Sequence, residues 1–360
     1  LKLFNEGINM KEKSFPHTLL TSLVSIGEDV LDSSAEVLRT LGITGKAGIV
    51  CDSITRDLAG RKIAEVLEEG DYQADILIIT EADMANVEKV REEAAEAEVL
   101  FGVGGGRPID VAKYTAHLLN IPFISVPTAA SHDGVASGRA SINVEGRKSS
   151  LGARVPAAVL ADTSLISSAP RRLNVSGAAD IVSNITAVND WYLAERIKGE
   201  RVHRVAAELA LLAARRLLQC RDLIRDMQPE GVKVLMEAII LSGTSMAVAG
   251  SSRPASGAEH LISHSLDSLR PSPGLHGEQC GLSSILTAYL QGADWRGIRD
   301  FLEHIGAPVK AVELGVDEEL FLKAVTEAHR IRPERYTILG DGITLKAARR
   351  AARATRIFQA

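Results

Sequence analysis

Between Lys46 and Thr163 short apolar runs alternate with amphipathic stretches, and beyond Asp162 the short runs stop. Ala47–Cys51, Ile76–Ile79, Val99–Val103 and Pro122–Val126 are brief, mostly β-branched and bounded by Gly, Asp or Pro, which predicts buried strands. Arg56–Glu69 and Met84–Ala97, lying between them, space their apolar residues three and four apart with charges on the other face, as helices do. Strands and helices in strict alternation imply a parallel sheet covered by helices. Arg139–Val144, followed by Gly146 and Arg147, predicts a hairpin, and Ala157–Leu160 a last strand. After that the chain is helical in character: Ala178–Ile197, Arg204–Asp226, Val232–Ala249, Gly257–Leu269, Glu278–Gln291, Trp295–Ile305, Asp317–Arg330 and Leu345–Arg356. The expected plan is an α/β domain over 1–168 and an all-α domain over 169–360, joined near Ser167–Arg172, with a ligand cleft between them.

Composition removes several functions. With 41 basic residues against 46 acidic, a net charge of −5 and no basic stripe, nucleic acid is not an expected partner. No apolar run approaches the roughly 18 residues of a spanning helix, so no transmembrane segment is expected. The chain opens at Leu1 without the layout of a signal peptide, and Met10 is a plausible start. Cys51, Cys220 and Cys280 form no CxxC pair, which predicts a reducing, cytoplasmic setting and a metal held by His and carboxylate alone.

The run Gly104-Gly105-Gly106-Arg107-Pro108-Ile109-Asp110 follows the third predicted strand and leads into a helix over Val111–Leu119. Glycines let the backbone turn sharply and approach a ligand, and the open N–H groups of a helix start favour a phosphate. Pro108 suits a first helical position. Asp52, at the carboxyl edge of its strand, suits a ribose hydroxyl or a helix cap. The loop Pro127-Thr128-Ala129-Ala130-Ser131-His132-Asp133-Gly134 leaves the next strand at that same edge.

His260 and His264 are four residues apart in a helical stretch and so share a face. His276 follows a Pro-rich turn able to fold it back toward His260, and Asp180 opens the helical half. Imidazoles with a carboxylate suit a divalent metal, and three protein ligands leave a position for substrate.

The glycine run, the Thr128–Gly134 loop, Ser256-Gly257-Ala258-Glu259-His260 and His276-Gly277-Glu278 together resemble the glycerol dehydrogenase and iron-containing alcohol dehydrogenase superfamily. Ser131-His132-Asp133-Gly134 and Ser251-Ser252-Arg253-Pro254-Ala255-Ser256-Gly257 look like its archaeal sn-glycerol-1-phosphate dehydrogenase family. The resemblance implies a Rossmann-like first domain, a helical second domain and a bound Zn²⁺ on Asp180, His260 and His276. It implies substrate contacts at Asp133, Asp180 and His264, with His264 or Asp133 relaying a proton. It implies NAD(H) or NADP(H) contacts at Gly106, Arg107, Pro108, Ile109, Asp110, Thr128, Ala129, Ala130, Ser131 and Ser137. The implied reaction reduces dihydroxyacetone phosphate, a phosphorylated triose, to the glycerophosphate backbone of archaeal ether lipids. Arg253 and Lys148 are the expected cations for the phosphate, and Arg56 an expected neighbour for a 2′-phosphate beside Asp52. A homo-oligomer is expected. An unphosphorylated-polyol dehydrogenase, a dehydroquinate synthase-like lyase and a helical binding protein are the competing readings.

Overall fold

A computed structural model describes residues 20–270 and 273–358. Met10 and the residues before it, together with part of the Pro-rich turn, lie outside them.

Six parallel strands form one sheet in the order β1-β8-β5-β4-β2-β3. They are β1 (Leu23–Gly27), β2 (Ala47–Cys51), β3 (Ala74–Ile78), β4 (Val99–Gly104), β5 (Phe123–Pro127) and β8 (Ala158–Asp162). The expected strands are all present, and β1 adds one that the sequence did not signal. It is a half-buried edge strand with little apolar continuity, held only by β8. The glycine run therefore follows the fourth strand, not the third. β6 (Arg139–Val144) and β7 (Arg147–Gly152) pair antiparallel as the expected hairpin.

Chain order reverses beside β2: β3 lies on one side of it and β4 on the other. In open α/β sheets such a reversal opens a crevice at the strands' carboxyl ends. Both Asp52 and the glycine run emerge there.

Helices α1 (Ser34–Thr40), α2 (Ser53–Thr55), α3 (Arg61–Glu69), α4 (Met84–Glu93) and α5 (Gly106–Leu119) belong to the sheet, with a π-helical stretch at Arg56–Gly60. α5 starts before the expected Val111. Pro108 is its third residue, where a missing N–H costs nothing because the first four N–H groups have no intrahelical acceptor. The helical half comprises α6 (Thr163–Ser168), α7 (Arg171–Val182), α8 (Asn184–Lys198), α9 (Arg204–Gln219), α10 (Arg221–Asp226), α11 (Pro229–Ala249), α12 (Ala258–Leu269), α13 (His276–Gln291), α14 (Trp295–His304), α15 (Glu318–Glu327) and α16 (Leu345–Ala354). One helix was expected over Ala178–Ile197, but the chain breaks at Ser183, whose hydroxyl donates to the Asp180 carbonyl at 2.7 Å.

Val50, Leu100 and Phe123 of the sheet pack in one continuous core with Val175, Ile239, Leu282 and Phe301 of the helices. The opposite sheet face closes on Leu38, Ile63 and Leu67. α11, 21 residues long with a mean hydropathy of 1.6 over its most apolar window, has the length and composition of a spanning helix. This corrects the expectation that no segment does, although 56% of that window is buried inside the protein.

Candidate active site

A cleft of about 740 Å³ lies between the carboxyl edge of the sheet and the helical half, within the range of small-molecule sites. One wall is the glycine turn. Gly104 takes φ +151°, a left-handed value open to glycine, and its Cβ position is filled by Pro108. A Cβ on Gly105 would meet open space, and one on Gly106 would strike the His132 ring. The start of α5 has no side-chain cap, and Gly105, Gly106 and Arg107 of that start line the cleft, a setting that suits an anion.

Of the expected cofactor residues, Asp52, Gly105, Gly106, Arg107, Pro108, Asp110, Thr128, Ala129, Ser131 and Ser137 line the cleft. Gly104, Ile109 and Ala130 do not. Ile109 is fully buried in the core, and the Ala130 N–H is taken by Asn174 at 2.8 Å. Asp52 Oδ1 caps α2 through the N–H groups of Ile54 and Thr55, while Oδ2 lies 3.8 Å from Arg107. The base beside Asp52 is thus Arg107. Arg56, the expected neighbour, is paired with Asp57 instead.

Asp110 acts as a brace. Its carboxylate accepts from Lys113 Nζ at 3.0 Å and from the Ser141 N–H at 3.1 Å. Lys113, fully buried, also donates to the carbonyls of Gly134 and Arg139. This one ammonium group therefore ties α5 to the Asp133 loop and to the hairpin. Neither half of the sequence pattern singled it out.

The opposite wall gathers the metal candidates. α7 carries Asp180, 2% exposed, and α12 carries His260 and His264 on one face. α13 opens with His276, and its ring centroid comes 5.0 Å from that of His260. His260 Nε2 and His276 Nε2 stand 3.6 and 4.0 Å from Asp180 Oδ1. The rings are oriented from behind. His260 Nδ1 meets Glu259 at 3.1 Å, and His276 Nδ1 meets the Ser263 hydroxyl at 3.2 Å, which itself donates to Gln279. These contacts occupy the Nδ1 side of each ring and leave each Nε2 on the side of the carboxylate, the arrangement that metal-ligating histidines adopt.

Asp180 Oδ1 is buried and makes no hydrogen bond. Its neighbours are too distant to donate to it, and an orphaned buried oxygen costs about 1–3 kcal/mol. A divalent cation among these atoms would satisfy it, so the residues fit a metal. Cys280 Sγ joins the group, all four donor atoms lying within 4.8 Å of one another. This corrects the expectation that His and carboxylate stand alone, because Cys280 lies one helical turn beyond His276.

Burial first, and then Asp133, pushes the Asp180 carboxyl up to about 7. Burial pulls His260 down, but Cys280, Glu259 and Asp180 outweigh it and hold the imidazole well above its usual value. Burial also raises the Cys280 thiol to about 11.

Asp133 closes the space between the walls. Its N–H donates to Asp180 Oδ2 at 3.3 Å, and its carboxylate accepts from Ser242 at 3.1 Å. His264 lies over His276, ring centroids 5.8 Å apart, and lines the same cleft. Arg253 does not. It is buried against Glu200, with a 2.6 Å contact through Nε, and donates to the Tyr336 carbonyl at 2.9 Å. Its charge is spent inside the protein, which corrects its expected role. The Lys148 side chain lies outside the described residues. Arg139 and Arg332, which sequence reasoning passed over, face the cleft.

The family described as iron-containing alcohol dehydrogenase matches residues 25–170. A glycerol-1-phosphate dehydrogenase [NAD(P)+] of Methanosarcina barkeri is 47% identical over 93% of this chain and 95% of its own. One from Pyrococcus furiosus is also 47% identical, over 93% of this chain and 97% of its own. Among solved structures, a glycerol dehydrogenase from Schizosaccharomyces pombe has a TM-score of 0.78 at 22% identity, covering 96% of this chain and 91% of its own. At that identity the likeness is one of fold.

Proposed function

The chain belongs to the NAD(P)-dependent glycerol-1-phosphate dehydrogenases, and on that premise we propose that it reduces dihydroxyacetone phosphate to sn-glycerol 1-phosphate in the cleft. In archaea that product is the backbone of ether lipids. One observation supports the reading: the unsatisfied Asp180 Oδ1 lies beside two imidazole nitrogens on one wall of a cleft whose other wall is an uncapped helix start.

Asp180, His260 and His276 would hold Zn²⁺, which when bound supplies Lewis-acid polarisation of a carbonyl oxygen. NADH or NADPH, when bound, supplies the hydride. The glycine turn and the first N–H groups of α5 receive its pyrophosphate, and Asp52 with Arg107 its adenosine ribose. Thr128, Ala129, Ser131 and Ser137 line the same cleft. The carbonyl carbon gains a hydride and its oxygen a proton. His264, one helical turn beyond His260, or Asp133, beside Asp180, delivers that proton. Burial of Asp180 and the closely packed Asp133 loop keep bulk water from the carboxylate.

The test is the oxidation of NADH and NADPH with dihydroxyacetone phosphate and with dihydroxyacetone, followed by chiral analysis of the product. The reading expects the phosphorylated ketone to be strongly preferred and the product to be the sn-1 enantiomer. Equal rates on both ketones favour the polyol dehydrogenase, and phosphate release without cofactor oxidation favours the lyase.

A further inference from the structure

A substrate phosphate needs cations, and the cleft supplies them from places the sequence did not suggest. Arg139 begins β6, and Arg332 follows the short 3₁₀ turn Ala328–Arg330, which packs on α12. Both face the cleft. Behind Arg332 stands Arg335. Among the described residues, none of the three guanidinium groups has a carboxylate within ion-pairing distance. Arg253, close by, is by contrast neutralised by Glu200.

Their contacts are to hydroxyls and carbonyls. Arg139 Nε meets Ser150 Oγ at 3.2 Å, and its Nη2 donates to the Ser150 carbonyl. Arg335 donates to Ser256 O at 2.6 Å and to Ser252 Oγ at 3.0 Å. Arg332 Nη1 reaches that same Ser252 hydroxyl only at 3.5 Å, too far for a good hydrogen bond. Ser256 leads directly into α12, the helix of His260 and His264, so the cluster is anchored to the helix that carries both imidazoles.

Like charges crowded in this way oppose one another. Burial first, and then Arg332, push the Arg139 guanidinium below its usual value. Burial, followed by Arg332 and Arg253, brings Arg335 down to about 10. A dianion entering between them would relieve this repulsion, and planar guanidinium groups bind phosphate oxygens in pairs. The adenosine end of the cleft has its own cation in Arg107, on the far wall beside Asp52.

We propose that Arg332 and Arg139, with the Ser252 hydroxyl, clamp a phosphomonoester dianion on the substrate and set the preference for a phosphorylated ketone. Arg335 positions Ser252 and the start of α12. The inference rests on the reading that the cleft reduces a phosphorylated triose.

The experiment compares the wild type with Arg332→Met, Arg139→Met and Arg332→Lys, each checked for bound metal and melting temperature. The ratio of kcat/KM for dihydroxyacetone phosphate to that for dihydroxyacetone should fall about 100-fold in each Met variant and about tenfold in Arg332→Lys. Inorganic phosphate should inhibit the wild type competitively against dihydroxyacetone phosphate and raise its melting temperature, and both effects should weaken at least roughly tenfold in Arg332→Met. An unchanged ratio with phosphate inhibition intact overturns the clamp. So does a rise in KM confined to NADPH, which would assign the cations to the cofactor's 2′-phosphate. If the wild type shows no preference for the phosphorylated ketone, the functional reading falls by itself. The phosphate measurements then still decide whether these arginines bind the anion.

Discussion

Within the cleft a few atoms decide the chemistry, and their roles separate by substitution. His264 stacks against His276 but lies farther from Asp180 than the two facing imidazoles. His264→Ala should therefore lower kcat about 100-fold while leaving one metal per chain, as measured by turnover and elemental analysis. Loss of the metal would exchange the roles of ligand and relay. Protons compete with any cation at this centre. Without metal, Asp180 holds its proton up to about pH 7 and His260 holds its own above the usual imidazole range. Metal binding must release these protons, so zinc affinity should climb as pH rises from 5.5 to 8 and fall in acid. Calorimetric zinc titrations at several pH values check the sign. A flat profile would mean that these groups are already deprotonated in the metal-free protein.

Between elements, closeness is set by glycine. A Cβ on Gly177 of α7 would overlap the Ala130 carbonyl oxygen, and one on Gly277 of α13 would overlap that of Ser176. Helix α7 thus seats directly on the loop after β5, and α13 directly on α7, backbone against backbone. Gly177→Ala should cost roughly 1–3 kcal/mol in a urea titration and weaken NAD(P)H binding along with it. A variant of unchanged midpoint and affinity would show the contact to be slack. Element types were largely legible in the sequence. β2 and β6 fall on their expected residues, and the four-residue spacing of His260 and His264 put both on one helix face. What could not be read was pairing across distance. Glu200 lies 53 residues from Arg253, and only the fold turns that arginine inward. Arg139 and Arg332 are nearly two hundred residues apart, and nothing periodic joins them. Nothing in the local pattern sets the fully buried Lys113 apart from a surface charge.

At the scale of the whole molecule, one apolar core crosses the boundary drawn between the sheet and the helices. Two halves sharing a core lose it together. A single calorimetric transition is expected, with calorimetric and van't Hoff enthalpies in agreement, and two resolved peaks would contradict it. NAD(P)H on the sheet half and zinc on the helical half should each raise that same transition, because the shared core couples the two. The seat of Gly177 on Ala130 has a consequence for how such a protein can diversify. Asp180 lies three residues beyond Gly177 on a single rigid rod, and Ala130 lies in the segment expected to cradle the nicotinamide. The spacing between the Ala130 segment and Asp180 is therefore gauged by peptide atoms, and only a side chain added at Gly177 itself would push them apart. New substrates in this scaffold have to be admitted by recarving the cleft's flanks, while the reach from donor to acceptor stays as the main chain set it.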